Sequence, residues 1–319
     1  MAVSSFEPSL NESILFDHDG SADDFLSLLL VLSMKHVELI GISITPADCY
    51  EESALETTRK LLSLTNRPTI PLGVGQFHGI NAFPAHWRAK PQILNALPDL
   101  ITIETEHSPV PDSKAMIIES LLASSQPVTV LMTGPCSNLV QAIEENPQIC
   151  SRIKQVIWMG GAVDVGGNVQ TYNHDGSAEW NVFWDPISSS KLLTYDLPLI
   201  LIPLDVTNTV AVDLAFLDRL ARQKRTLYTQ LAGQFWATTI DSIPAYEYTY
   251  FMWDVLATSY LGIPHAFTLE SIELSIVAKG ASAGRIHRQA GSGQWVQVAK
   301  AVDQHAFYDY LFDQLVGVD

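Results

Sequence analysis

Four carboxylates crowd into eight positions in Asp17-His18-Asp19-Gly20-Ser21-Ala22-Asp23-Asp24, directly after the apolar run Ile14-Leu15-Phe16. Unpaired like charges this close repel one another, so the spacing predicts a bound metal ion. A plainer duty suits part of the cluster. Asp23 or Asp24 can cap a following helix or favour its dipole, which accounts for one acid or two of the four.

The elements that must position these acids follow from apolar patterning. Residues 14–16 read as a buried strand and residues 25–34 as the next helix, which puts the acids at a strand's carboxyl end. Further strand-like runs fall at 37–44, 128–132, 156–159 and 199–204, with helical patterns such as 51–64 and 115–124 between them. Strands alternating with helices predict an α/β fold with an open, mainly parallel sheet flanked by helices. Parallel strands end on one edge, where an active site is expected. The second strand there runs into Thr45-Pro46-Ala47-Asp48, the third into Thr133-Gly134-Pro135-Cys136-Ser137-Asn138, and the fourth into Met159-Gly160-Gly161. Periodicity weakens over 73–111, a stretch that suits a lid or binding loop; its Trp87 suits a ligand contact or an anchor for the loop equally well. The segment 246–254 is unusually aromatic and ends in Trp253-Asp254. Extra strands are expected at 272–277 and 295–298, then a helix over about 303–315.

With 319 residues and 47% hydrophobic content the chain can bury a large core, and no linker, low-complexity tract or repeat divides it. One domain over 1–319 is expected. The net charge of −17, from 18 basic and 35 acidic residues, argues against a nucleic-acid surface. Apolar runs fall far short of a membrane span, and the first residues lack a signal-peptide pattern, so no membrane association and a cytoplasmic location are expected. Cys49, Cys136 and Cys150 show no metal-binding or disulfide spacing and read as ordinary reduced thiols.

The opening Asp17-His18-Asp19-Gly20-Ser21 resembles the haloacid dehalogenase-type magnesium phosphatases. That family also needs a later lysine and a second acidic pair at strand ends, where this chain offers Thr-Gly-Pro and Met-Gly-Gly, and it leaves Asp23 and Asp24 without a role. The chain resembles the nucleoside hydrolases more closely. It shares their Asp-x-Asp-x-x-x-Asp-Asp opening, then Thr133-Gly134-Pro135-Cys136-Ser137-Asn138, Met159-Gly160-Gly161-Ala162, Gly167-Asn168, Ala178-Glu179-Trp180-Asn181 and Trp253-Asp254 in the family's order. Asp-His-Asp-Gly, Ala-Asp-Cys and Glu-Trp-Asn look most like the purine-specific (inosine-adenosine-guanosine) branch.

The resemblance implies one calcium ion held by Asp19, Asp24, the Thr133 carbonyl and Asp254, consistent with the oxygen-rich ligand types here. It implies Asp19 as general base toward a water whose pKa the ion lowers. Asp23 would contact the ribose 2′-hydroxyl, and Asp17 and Ser21 would support their neighbours. Asp48, Asn168, Glu179 and Asn181 would serve the sugar, with Met159 under the ring. Trp87 and Trp253 would sandwich the base, with Trp180 and Tyr250 near it. The uridine-accepting branch has a histidine where this chain has Trp253, and indole is no general acid, so poor turnover of uridine is expected.

Two positions depart from the pattern. Ser21 stands where purine-preferring relatives carry Asn, and Ala245 where relatives can carry a basic residue. His174 lies near Glu179 in sequence, although an ordinary loop histidine is the simpler reading. The expected activity is hydrolysis of purine ribonucleosides to free base and ribose. A nucleosidase for a modified purine riboside or for broader nucleosides, the phosphatase, and a nucleoside-binding protein that keeps the calcium site are the alternatives. No basic phosphate cradle is visible, which favours water over phosphate as nucleophile. A homodimer is expected from the resemblance.

Overall fold

A computed structural model describes residues 11–106, 108–239 and 250–318. The chain runs through β1 (Glu12–His18), α1 (Ala22–Ser33), β2 (Val37–Ile44), α2 (Glu51–Leu64), β3 (Leu72–Val74), β4 (Val128–Met132), β5 (Ile153–Met159) and β6 (Leu199–Ile202). A small pair, β7 (Ala211–Val212) and β8 (Tyr250–Phe251), precedes β9 (Phe267–Ile276), β10 (Ile286–Arg288) and β11 (Gln294–Val302). Among the described residues nine strands form one sheet in the order β10-β9-β11-β6-β5-β4-β1-β2-β3. Strands β1 to β6 and β11 are parallel, while β9 pairs antiparallel with both β10 and β11.

Strand β1 lies in the interior of the sheet, between β4 and β2, and its residues are apolar on both faces. Ile14 and Phe16 pack with α1, whereas Leu15 packs with Met116, Ile117 and Leu121 on the opposite side. Every residue of α1 is buried, which follows from a sequence apolar around its whole circumference. It packs against the helices Leu227–Ala237, Trp253–Ser259 and Gln304–Val316. The order of connection reverses at β1: the chain steps outward through β2 and β3, then returns to lay β4 on the other side. A crevice opens outside the carboxyl ends of strands at such a reversal.

Several elements extend or sharpen the sequence pattern. Strand β1 includes Asp17 and His18, and α1 starts at Ala22, so Asp23 and Asp24 lie in its first turn. The irregular stretch 73–111 holds the end of β3 and two short helices, Ala85–Arg88 and Lys90–Asn95. Pieces of four and six residues are too short to register a period. They are pinned to the body by Arg88 Nε to the Cys49 carbonyl (3.1 Å), Asn95 Nδ2 to the Ser53 carbonyl (3.0 Å) and Lys90 Nζ to the Thr238 carbonyl (2.8 Å). Strand β6 stops at Ile202 because Pro203 starts the helix Leu204–Thr207. Among the described residues no helix is long and apolar enough to cross a membrane.

Candidate active site

The acid cluster grows from the carboxyl end of β1, which hydrogen bonds keep stitched to its neighbours. Thr133 N–H donates to the Asp17 carbonyl (2.9 Å) and Thr45 N–H to the His18 carbonyl (2.8 Å). Asp17 Oδ1 accepts from Thr45 Oγ1 (3.0 Å) and Asn138 Nδ2 (3.4 Å), while Oδ2 is buried without a partner. Burial pushes the Asp17 carboxyl up to about 7. Asn138 also donates to Ser43 (2.9 Å) and Thr45 (2.8 Å). It thereby ties the start of the helix Ser137–Glu145, which follows β4, to the ends of β1 and β2, a role that its place in the Thr-Gly-Pro-Cys-Ser-Asn motif signals only in outline.

Asp19 lies just beyond β1 and its Oδ2 accepts the Asp48 backbone N–H at 3.2 Å. The Thr-Gly-Pro loop passes tightly against it: a Cβ at Gly134 would come within 2.7 Å of the Asp19 Cβ, so only glycine fits. Ser21 is the N-cap of α1 in a capping box, its hydroxyl accepting from Asp24 N–H (3.1 Å) and Asp24 Oδ2 accepting from Ser21 N–H (2.7 Å). The same hydroxyl donates to Asp254 Oδ2 at 3.2 Å, and Asp24 Oδ1 accepts from the Thr133 hydroxyl. Asp23 Oδ2 accepts the Asp254 N–H at 2.7 Å, at the start of the helix Trp253–Ser259, and its Oδ1 is buried without a partner.

Asp17, Asp19, Asp23, Asp24, Asp48 and Asp254 therefore meet around one strand end, and the first four and Asp254 are all buried. Burial, together with the nearby Asp24 charge, pushes Asp19, Asp23, Asp48 and Asp254 well above the usual carboxylate range. Lys90 and Arg88 act on Asp48 in the opposite sense. His18 supplies no counter-charge, because burial between Phe16 and Phe25 lowers it to about 4 and keeps it neutral. Among the described residues no three His, Cys, Asp or Glu side chains stand together as a finished ligand set. Both Asp24 oxygens are engaged by protein donors instead. The donor chemistry nevertheless fits a hard cation. Buried carboxylate oxygens on Asp17, Asp23 and Asp48 lack partners, and the repulsion within the cluster is what a cation relieves.

Beside the acids, Asn181 Nδ2 donates to the carbonyls of Thr133 (2.9 Å) and Met159 (3.2 Å), bracing the ends of β4 and β5. Glu179 caps the helix Trp180–Trp184, accepting from Asn181 N–H (2.8 Å) and Val182 N–H (3.3 Å), and takes Gly161 N–H at 2.8 Å. Burial pushes Glu179 up to about 7 against those three donors. Asn168 Oδ1 accepts from Trp180 N–H at 3.2 Å. Met159 is buried beneath this group.

Two aromatic groups follow. Trp87 meets Trp180 edge-on, ring centres 5.4 Å apart, with Phe83 5.0 Å from Trp180. Trp253 packs against Tyr250 (4.8 Å) and Phe251 (5.8 Å) and donates its indole N–H to Asn208 (2.9 Å). The two indoles expected to sandwich a base thus belong to different groups and share no ring contact among the described residues. Phe83 and Asn208 were not legible as site residues. Phe83 carries no motif, and Asn208 becomes relevant only when folding brings it to Trp253.

His174 is held in place by structure. Its Nε2 faces the Ala283 carbonyl (2.9 Å), its Nδ1 accepts Gly176 N–H (3.0 Å), and its ring packs on Phe183. Both nitrogens are used, as the ordinary reading of a loop histidine expects. All three cysteines are free thiols. Ala245 and residues 246–249 lie outside the described residues. Lys154, a candidate for the later lysine that a phosphatase would need, sits at the amino end of β5 paired with Glu12 (2.7 Å), away from the strand ends that carry the acids.

A doubly wound α/β sheet with a buried acid cluster at its reversal point and a polar and aromatic rim describes a candidate small-molecule site. The family model for inosine-uridine preferring nucleoside hydrolases matches residues 14–309, and the chain belongs to that family. Its structure is similar to that of an inosine-uridine preferring nucleoside hydrolase from Bacillus anthracis, with a TM-score of 0.89 and 33% identity covering 96% of this chain and 100% of that one. A purine-preferring ribonucleoside hydrolase from Gardnerella vaginalis shares the fold, at a TM-score of 0.80 and 21% identity over 96% of this chain and 98% of that one. Among curated relatives, the pyrimidine-specific ribonucleoside hydrolase RihA of Salmonella agona is 27% identical over 222 residues, 65% of this chain and 64% of its own. Nucleoside hydrolase 4 of Arabidopsis thaliana is 24% identical over 95% of this chain and 64% of its own length. The chain thus spans just under two thirds of these curated relatives.

Proposed function

We propose that the protein is a calcium-dependent purine ribonucleoside hydrolase, acting as one catalytic domain over 1–319 and releasing free base and ribose. The observation that carries the reading is the linkage of Asp24 directly to Thr133 and through Ser21 to Asp254, with Asp19 beside Asp24 and Asn181 on the Thr133 carbonyl. Asp19, Asp24, the Thr133 carbonyl and Asp254 would hold the ion. The Thr133 carbonyl accepts one bond from Asn181 and keeps a second lone pair. Calcium, when bound, supplies a lowered pKa to water and an anchor for sugar hydroxyls.

Asp19 then takes the proton of the attacking water. Its Oδ2 is steadied by Asp48 N–H, which leaves Oδ1 for the transfer. Asp23 Oδ1 and Glu179 face the sugar hydroxyls as acceptors, with Asn168 and Asp48 beside them. The carboxylates favour the positive charge that builds on the ribosyl ring as the N-glycosidic bond breaks. Trp87 and Trp253 would stack on the leaving base, with Trp180 and Tyr250 near it. Trp253 offers no acid, which supports a purine, whose own ring nitrogen takes up a proton, over a pyrimidine. The likeness to pyrimidine-specific RihA favours a second reading in which uridine or cytidine is cleaved.

Release of free ribose from inosine, guanosine, adenosine and uridine, with calcium and after chelation, separates the readings. Purine cleavage that chelation abolishes, with uridine nearly inert, supports the first. Equal rates on uridine and inosine refute it. We place the enzyme in the cytoplasm as a homodimer, and a monomer by light scattering at micromolar concentration would contradict the dimer.

A further inference from the structure

The loop that follows β5 is gripped from a side that touches no acid of the cluster. Asp205, in the helix Leu204–Thr207, points a carboxylate only 3% exposed at two consecutive backbone amides. Its Oδ2 accepts Val163 N–H and its Oδ1 accepts Asp164 N–H, each at 2.9 Å. Lys300 Nζ reaches the same Oδ1 at 2.8 Å and bridges to Asp164 Oδ2 at 2.6 Å. Arg288 holds Asp164 through two further bonds of 3.0 and 2.7 Å. Leu204 N–H donates to the Gly161 carbonyl at 2.8 Å, so the loop is fastened on both sides of Ala162.

Gly161 is the residue this grip aims. It has φ +79°, and a Cβ there would come within 2.3 Å of Ile286, so the loop has one backbone path. On that path its N–H meets Glu179 Oε2 at 2.8 Å. The same turn continues to Asn208, whose side-chain oxygen accepts the indole N–H of Trp253 at 2.9 Å. Two residues further on, the Val210 carbonyl accepts Met252 N–H at 2.9 Å. One short stretch therefore fastens the Glu179 side of the site and the Trp253 side together.

We propose that residues 204–208 are the positioning element of the site, with Asp205 setting the loop that orients Glu179 and Asn208 setting the plane of Trp253. The sugar side and the base side of the substrate are then held at a fixed separation by groups that touch neither. This rests on the hydrolase reading. Two consecutive amides on one carboxylate form a grip that an amide side chain cannot reproduce, since Asn offers one acceptor and places a donor against the other N–H.

The test uses the full chain with calcium. For Asp205→Asn, backbone amide exchange over residues 161–164 speeds up and kcat/KM for inosine falls about tenfold or more, the usual scale for groups that orient site residues. A purely structural role lowers Tm yet leaves kcat and KM at wild-type values well below the melting temperature. Asn208 is exposed, so Asn208→Ala folds in either case; it raises KM for inosine about threefold while Tm stays put. Wild-type kcat and KM in both variants overturn the proposal. So does unchanged exchange over 161–164 in Asp205→Asn, a readout that needs no turnover. If the unmutated protein cleaves no nucleoside, the hydrolase reading fails, and the exchange result still decides whether Asp205 grips the loop.

Discussion

Replacing Glu179 by glutamine removes a pH dependence of stability that the burial of this carboxyl creates. Burial raises the Glu179 carboxyl from an ordinary 4.5 to about 7. The folded protein thus binds this proton more tightly than the unfolded chain. Its contribution is fully present below about 4.5 and is lost as pH rises through about 7. The shift corresponds to about 3 kcal/mol over the whole window, of which about 2 to 3 kcal/mol falls between about pH 5 and pH 8. A glutamine side chain has the same shape and does not titrate. The acid cluster contributes its own pH dependence equally to both proteins, so the difference between them isolates Glu179. Urea unfolding of wild type and Glu179→Gln at pH 5 and pH 8, with chelator throughout, measures it. Wild type loses about 2 to 3 kcal/mol relative to the variant on going to pH 8. A difference that stays constant with pH, or grows in favour of wild type, refutes the claim that burial dominates the three N–H bonds at this carboxyl.

Asp19→Asn lowers kcat by about a hundredfold to ten-thousandfold by removing the proton acceptor, and raises Tm by removing a repelled buried charge, read by ribose release and thermal melting. In the chelated protein, stability falls as pH rises above the ordinary carboxylate range, because folded Asp19, Asp23, Asp48 and Asp254 hold protons that the unfolded chain has already released. Saturating calcium flattens that slope, and denaturation curves with and without the ion check it. Trp253→His supplies an acid beside the leaving base and raises the ratio of uridine to inosine turnover by about tenfold or more; an unchanged ratio shows that the base wall at Trp253 does not set the preference.

What the sequence discloses and what it hides divide along a physical line. β1, β2, β4 and α2 carry strong apolar patterns and were legible within a residue or two. β3 has three residues and β10 three, too few for alternation to show. The acids were legible because like charges at short spacing need a reason. The partners that orient them are less so: Asn138 reaches Asp17 from 121 positions away, and Asn208 reaches Trp253 from 45. Such pairs exist only in the folded arrangement, and one sequence without its relatives contains no trace of their pairing.

The helix-capping role of the acid cluster and the proposed metal-binding role fall on the same residues. Asp24 completes the capping box of α1, and Asp23 accepts the amide that opens the helix Trp253–Ser259. Two helix N-termini therefore bring their first-turn amides and positive dipole ends to one group of carboxylates. Each terminus contributes about 0.3 to 2 kcal/mol of relief, which is modest beside the several kcal/mol per ion that burying unpaired charge costs. The caps let the chain close around the acids, and the burial and repulsion that raise the proton affinities of Asp19, Asp23 and Asp254 are what a bound cation would relieve. Ser21 sits where these demands meet, capping Asp24 while donating to Asp254. Ser21→Ala removes both bonds at once, so it weakens calcium affinity and lowers Tm together, whereas a residue serving only the ion would leave the melting of the chelated protein unchanged.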